Sequence, residues 1–197
     1  MNTEILLRFI YFIVFVATIL ISAYYRRKAR TEGETIQRSQ EGFLVLSARI
    51  LLGCTVLFFI LSYPFYPDFV DWSVMTIPYW VRWTGVIFAI TCPLLSFWLF
   101  RNIGSNISET VLTKQNHQLV TSGPYKYIRH PLYTTGILLI LSLGMISGNW
   151  ILLLLAPLTF LIFRFIVIPK EEQQLMEKFG QQYVAYRKTT GALFPKF

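Results

Sequence analysis

The sequence predicts an all-α integral membrane protein: about five transmembrane helices, a cytoplasmic loop ahead of the fourth, and an amphipathic helix at the C-terminus. Three observations carry this expectation. Hydrophobic residues make up 54% of the 197 and charged residues 14%, too apolar a balance for a soluble domain of this size. Five stretches, near 5–25, 43–63, 80–100, 132–148 and 150–168, approach the roughly 20 apolar residues that cross a bilayer. The 18 Lys and Arg are also shared unevenly among the connections.

The first stretch reads as a span and not as a cleavable leader, because Arg8 lies inside the apolar run and no small-residue cleavage site follows. The segment from Arg26 to Gly42 reads as a polar cytoplasmic connection. Pro64 and Pro67 end the second span, and Trp72, Tyr79, Trp80 and Trp83 suit an outer interfacial belt. Pro93 is expected to kink the third span. Segment 101–131 is too polar for lipid and long for a structureless connection, which suggests a functional loop. Ser147-Gly148-Asn149 turns the fourth span into the fifth as a tight hairpin. Beyond it, Leu175, Met176, Phe179, Tyr183 and Tyr186 recur near helical spacing among polar residues, as in an amphipathic helix.

Charge sets orientation. Fourteen Lys and Arg fall after the first span, between the third and fourth, and after the fifth, whereas the 64–79 connection has only Arg82 at its edge. By the positive-inside rule the N-terminus is outside and the C-terminus cytoplasmic, so the net charge of +8 marks topology and not nucleic-acid binding. Cys54 and Cys92 both sit mid-span and read as apolar filler, with neither a disulfide framework nor a metal site. A single domain over 1–197 is expected, with its chemistry in 101–197.

The segment Gly123-Pro124-Tyr125-Lys126-Tyr127-Ile128-Arg129-His130-Pro131-Leu132-Tyr133 concentrates polar and aromatic residues at the mouth of a span, a costly arrangement unless it lines a site. Pro131 biases His130 away from helical backbone and suits a helix start. Glu171 and Glu172 follow the fifth span; they are either an exposed acidic pair or include a carboxylate that holds a cationic group. Arg164, two turns before Glu171, either snorkels or meets an anionic substrate head. There is no Ser–His–Asp set, Walker loop, H-x-E or C-x-x-C metal pattern, and no G-x-G-x-x-G. Any cofactor is therefore held by helices and the cytoplasmic loop.

The run His117-Gln118-Leu119-Val120-Thr121-Ser122-Gly123-Pro124-Tyr125, with Arg129-His130-Pro131-Leu132-Tyr133, resembles the isoprenylcysteine carboxyl methyltransferase family and its phospholipid N-methyltransferase relatives. So do Glu171-Glu172, Leu175, Phe179-Gly180, Tyr183, Tyr186 and the ending Thr190-Gly191-Ala192-Leu193-Phe194-Pro195. The resemblance covers roughly 101–197. It implies S-adenosylmethionine as methyl donor, bound on the cytoplasmic side by His117, Gln118, Leu119, Val120, Tyr125, His130, Pro131, Leu132 and Tyr133. Glu171 would hold the donor's amino group. An Arg that the family assigns to substrate falls at Val167 here, and Arg164 stands one turn earlier in its place; with His130 it is the candidate for catalysis.

The implied acceptor is a lipophilic molecule arriving through the bilayer, with no nucleic acid and no metal as partner. An isoprenylcysteine-type carboxylate is already ionised near neutral pH, whereas a lipid amine would need a base, His130 or Glu171. A phospholipid or other hydrophobic amine is the first alternative. An NADPH-dependent sterol-type reductase, which shares an Arg-His-Pro-x-Tyr end, is the second; such enzymes carry an acid soon after the Tyr, where this chain has Thr134-Thr135-Gly136.

Overall fold

The computed structural model describes residues 2–31, 43–104 and 119–196. Its regular elements are helices: α1 (Thr3–Thr31), α2 (Phe43–Phe65), a short α3 (Pro67–Val70), α4 (Tyr79–Ile103), α5 (Pro131–Ser147), α6 (Trp150–Ile162), α7 (Ile168–Phe179) and α8 (Gln181–Thr189). A π turn, Phe163–Val167, joins α6 to α7 without a break. Three stretches are long and apolar enough to cross a membrane: Thr3–Arg30, Tyr79–Ile103 and Trp150–Phe179. Ile50–Phe65 and Pro131–Ser147 are shorter apolar helices. Each of the five stretches expected from the sequence thus falls in a helix, with longer bounds for the first and last.

The core lies between α1, α2, α4, α5 and α6. Leu7, Tyr11 and Val14 from α1 meet Phe59, Ile60 and Tyr63 from α2, with Val86, Ala89, Leu143, Ile146 and Leu152 among them. Their spacing of three and four is the inward stripe of a helix. The outward faces, Ile87, Leu94, Leu154, Leu161 and Phe165 included, are exposed, as lipid-facing surfaces are. In lipid the close approach of backbones counts for more than apolarity. Gly85, Ala89, Cys92 and Ser96 make a buried small-residue stripe on α4. A Cβ on Gly85 would stand 2.7 Å from the Met145 Cβ and 3.0 Å from the Ser142 carbonyl oxygen, so α4 and α5 touch where no side chain intervenes.

Polar contacts pin the end of the bundle where α1 and α4 begin. Arg82 donates to the Ile146 carbonyl at 2.7 Å, to both carboxylate oxygens of Glu4, and to the Tyr63 hydroxyl at 3.1 Å, tying α4 to α5, α1 and α2. Asn149 accepts from the Ile151 and Leu152 amides, which caps α6, while its Nδ2 donates to Ser73 Oγ at 2.7 Å. The expected hairpin is therefore capped, and also locked to the 71–75 turn. Trp72, Tyr79, Trp80 and Trp83 are exposed at this end, where a belt was expected.

Two expectations about boundaries need correction, and Pro169 adds a finding of its own. The connection beginning at Arg26 starts later, because Arg26–Thr31 continue α1; 32–42 lies outside the described residues. The single C-terminal amphipathic helix is two helices, broken at Gly180. Pro169 does not end the fifth span. The wider π turn upstream removes the clash between the Pro169 ring and the carbonyl four residues earlier.

Candidate active site

At the opposite end of the bundle, α5 begins at Pro131, with His130 as its N-cap in a non-helical conformation (φ −121°, ψ 56°). Proline restricts the residue before it and is favoured as the first helical residue, so the Arg129-His130-Pro131 run fixes this start locally. The C-terminal segment then lies along it. The Arg129 amide donates to the Gly191 carbonyl at 2.9 Å and the His130 amide to the Ala192 carbonyl at 3.0 Å; Thr134 Oγ1 donates to the Leu193 carbonyl at 2.8 Å. Gly191 is required by close approach, since a Cβ there would run into the Phe194 carbonyl. Tyr186 donates its hydroxyl to the Tyr125 carbonyl at 2.5 Å, which fastens α8 to the Gly123–Lys126 turn.

The two ends of the sequence motif meet in an ion network. His130 Nδ1 lies 3.3 Å from Glu171 Oε2, and its Nε2 lies 3.4 Å from Glu172 Oε1. Arg129 Nε donates to Glu172 Oε1 at 2.8 Å and Arg187 Nε approaches Glu172 Oε2 at 3.2 Å. Arg129 also donates to the Thr190 carbonyl. Tyr133 donates its hydroxyl to Glu171 Oε2 at 3.0 Å; its ring stacks on His130 at 5.7 Å and packs on Phe163 at 4.5 Å.

Burial opposes a charge on His130, but the Glu171 and Glu172 carboxylates outweigh it and hold the ring up to about 9. The ring is therefore an imidazolium at neutral pH. Two polar atoms keep bonding capacity. Glu171 Oε1 has no hydrogen bond among the described residues, on a side chain 23% exposed. The buried Tyr183 hydroxyl is likewise without a partner among them.

Several sequence candidates come together here: His130, Tyr133 and Glu171 in direct contact, with Tyr125 and Pro131 buried beside them. Leu132 packs beside Phe100 and Ala29. Leu119 and Val120 are half-buried ahead of the turn. His117 and Gln118 lie outside the described residues. Arg164 does not join the cluster. It is exposed, with its guanidinium 5.6 Å from the Phe165 ring centre, because the π turn rotates it off the face of Glu171. The reading of Glu171 and Glu172 as an exposed acidic pair fails for Glu172, which is 5% exposed. One signal was available: Glu172 follows the buried Ile168 by four residues, on the same helix face. Arg187 and Thr190 carried no such signal, since their partners, Glu172 and Arg129, are distant in sequence.

Fold and site together define a multi-pass, helical integral membrane protein with a charge-paired site at one end of its bundle. The profile of the phospholipid methyltransferase family matches residues 80–182, just over half the chain, and the chain belongs to that family. The protein-S-isoprenylcysteine O-methyltransferase of Schizosaccharomyces pombe is 37% identical over 94 residues, 47% of this chain and 40% of that protein. That of Dictyostelium discoideum is 29% identical over 133 residues, 62% and 52% of the two chains. The cobalt-zinc-cadmium resistance protein CzcN of Cupriavidus metallidurans is 36% identical over 83 residues, 42% and 38% of the two chains. The chain thus spans about half or less of the length of the curated relatives it matches. A solved structure of the eukaryotic intramembrane Ras methyltransferase, an isoprenylcysteine carboxyl methyltransferase, superposes with a TM-score of 0.55. The match covers 94% of this chain and 67% of that one at 20% identity, a likeness of fold. These comparisons bear out the resemblance carried by the His117–Tyr133 and Glu171–Pro195 blocks. Among the described residues, no group of three or more His, Cys, Asp and Glu is arranged to hold a metal ion.

Proposed function

We propose that this protein is an S-adenosylmethionine-dependent methyltransferase whose acceptor is a lipophilic carboxylate of the isoprenylcysteine type. The observation that carries the reading is the His130–Tyr133–Glu171 contact, which leaves one Glu171 oxygen unbonded among the described residues and partly open. That oxygen fits an ammonium group, and the unpartnered Tyr183 hydroxyl fits a further polar group, so the residues suit an amino acid-bearing donor. When bound, S-adenosylmethionine supplies an electrophilic methyl group on a sulfonium.

The chain's own task is to align and to exclude water. His117, Gln118, Leu119, Val120, Tyr125, Pro131 and Leu132 form the walls in this reading, with His130, Tyr133 and Glu171 at the polar end. Glu172, Arg129 and Arg187 hold that end rigid. Arg164 is exposed and follows Phe163, which packs on Tyr133, and in this reading it receives the acceptor's carboxylate.

The charged His130 favours a carboxylate acceptor over an amine. A ring that shares its proton with two carboxylates is a poor base, and a carboxylate acceptor needs none, whereas a protonated lipid amine does. The family's phospholipid methyltransferase profile keeps the amine as the second reading. The proposal further includes five spans in a single domain, the N-terminus outside and the site in the cytoplasm. The test is transfer of a labelled methyl group by the full-length protein in detergent. S-farnesylcysteine should become labelled and phosphatidylethanolamine should not; the reverse outcome would establish the amine reading, and sterol-dependent NADPH oxidation would overturn both.

A further inference from the structure

Tyr183 sits on the first turn of α8 with its side chain buried, and its hydroxyl has no hydrogen-bond partner among the described residues. An unpaired buried hydroxyl is costly and uncommon, so its presence calls for an explanation. Packing accounts for the ring, which stands edge-on to Tyr186 at 6.0 Å, but a phenylalanine would pack as well. Tyr186 is the contrast, because its hydroxyl donates to the Tyr125 carbonyl and fastens α8. The charges near enough to act on the Tyr183 hydroxyl are Glu172, Arg129 and Glu171, all members of the network around His130. Burial and the two carboxylates hold the hydroxyl above its ordinary pKa, with Arg129 opposing, so it keeps its proton and is a donor.

The nearby acceptors are already used. Glu172 Oε1 faces Arg129 Nε and His130 Nε2, and Glu172 Oε2 faces Arg187 Nε. Glu171 Oε2 takes the Tyr133 hydroxyl and faces His130 Nδ1. Two capacities are left, Glu171 Oε1 as an acceptor and the Tyr183 hydroxyl as a donor, and they are not bonded to each other. A ligand that satisfies both must present a donor and an acceptor close together. An ammonium group has only donors and a carboxylate only acceptors, so the zwitterionic end of an α-amino acid is complementary to the pair. Arg129, beside the hydroxyl, favours the anionic half.

We propose that Tyr183 is a specificity-determining residue for the methyl donor, its hydroxyl donating to the donor's α-carboxylate while Glu171 holds the α-ammonium. The inference rests on the methyl-transfer reading and extends it, because the site then selects an intact amino acid and not merely a cation. A compound without the carboxylate leaves the buried hydroxyl unpaired, and a site built to hydrogen-bond a group discriminates strongly against an analogue that lacks it.

The test compares, by titration calorimetry on the full-length protein in detergent, S-adenosylmethionine with its decarboxylated analogue, which keeps the sulfonium and the amine. The unaltered protein should bind S-adenosylmethionine more tightly by about tenfold or more, the scale of a hydrogen bond to a charged group. Tyr183→Phe should weaken S-adenosylmethionine by about the same factor and leave the analogue within about twofold, whereas Glu171→Gln should weaken both. Without ligand, Tyr183→Phe should melt no lower than the unaltered protein, because the deleted hydroxyl has no bond to lose. Tyr186→Phe, which loses the bond to Tyr125, should melt lower. Three results would overturn the proposal: equal weakening of both compounds by Tyr183→Phe, weakening of neither, or a ligand-free Tyr183→Phe protein that melts lower or fails to fold. An unaltered protein that does not bind S-adenosylmethionine would bring down the methyl-transfer reading as well, whereas binding that ignores Tyr183 overturns this inference alone.

Discussion

Adjacent carboxylates at Glu171 and Glu172 have different work to do. Glu172 is buried among Arg129, His130 and Arg187, so Glu172→Gln leaves those cations undercompensated. It should destabilise the protein by about 3 kcal/mol, read as unfolding in detergent. Glu171→Gln should instead weaken S-adenosylmethionine binding by roughly 1.5–3 kcal/mol, the scale of a charge-assisted hydrogen bond, with a smaller loss of stability. Equal unfolding penalties at the two positions would contradict this division. His130 adds a pH dependence. Its folded value, about 9, lies above the ordinary 6.5, so its stabilisation is complete below the unfolded value and is lost as pH rises through about 9. Melting temperature should fall between pH 7 and 9.5, and His130→Asn should flatten that slope; an unchanged slope in the variant would place the titration elsewhere. The Arg-His-Pro run and the Glu pair stood out in the sequence because proline punctuation and charge beside an apolar run are local signals. The role of Glu172 was hidden because its partners lie 43 residues before and 15 after it, a pairing that only the fold brings about.

The α5–α6 hairpin shows how an element end becomes a tertiary anchor. Asn149 caps α6 with its Oδ1 and holds Ser73 with its Nδ2, so Asn149→Ala removes a cap and leaves a buried hydroxyl with one fewer partner. A loss of about 1–2 kcal/mol is expected from denaturant or thermal unfolding. A loss under about 0.5 kcal/mol, the size of an ordinary surface change, would show that the anchor is idle. Helix pairing is set by the small stripe on α4: Gly85→Val should cost on the order of 2–3 kcal/mol, because Met145 and the α5 backbone have no room to yield. Helix positions followed directly from apolar runs, and the hairpin from Ser147-Gly148-Asn149. The unbroken passage from α6 to α7 did not, because proline normally ends a helix and a π turn has no sequence signature. That turn also explains why Arg164 and Glu171, seven residues apart, fail to share a face.

At the scale of the molecule, the orientation we propose rests on the partition of Lys and Arg, and the structure supplies reporters for testing it. Ser73 is buried and unsuitable, whereas Thr76 and Ser122 are exposed near opposite ends of the bundle. In a chain lacking Cys54 and Cys92, Thr76→Cys should react with a membrane-impermeant thiol reagent on intact cells and Ser122→Cys should not. The opposite pattern would turn the site away from the cytoplasm. Composition alone specified the class of protein, and motif spacing specified the family. Which helices meet, and which charges pair at their ends, depended on packing that a linear pattern does not encode. The central claim is that the His130–Glu171 end of the bundle holds a methyl donor, and titration calorimetry on the full-length protein tests it most directly. S-adenosylmethionine should bind with micromolar-range affinity, on the order of −8 kcal/mol, and Glu171→Gln should weaken it at least tenfold. Binding of NADPH in place of S-adenosylmethionine, or S-adenosylmethionine binding that is indifferent to Glu171, would contradict the account.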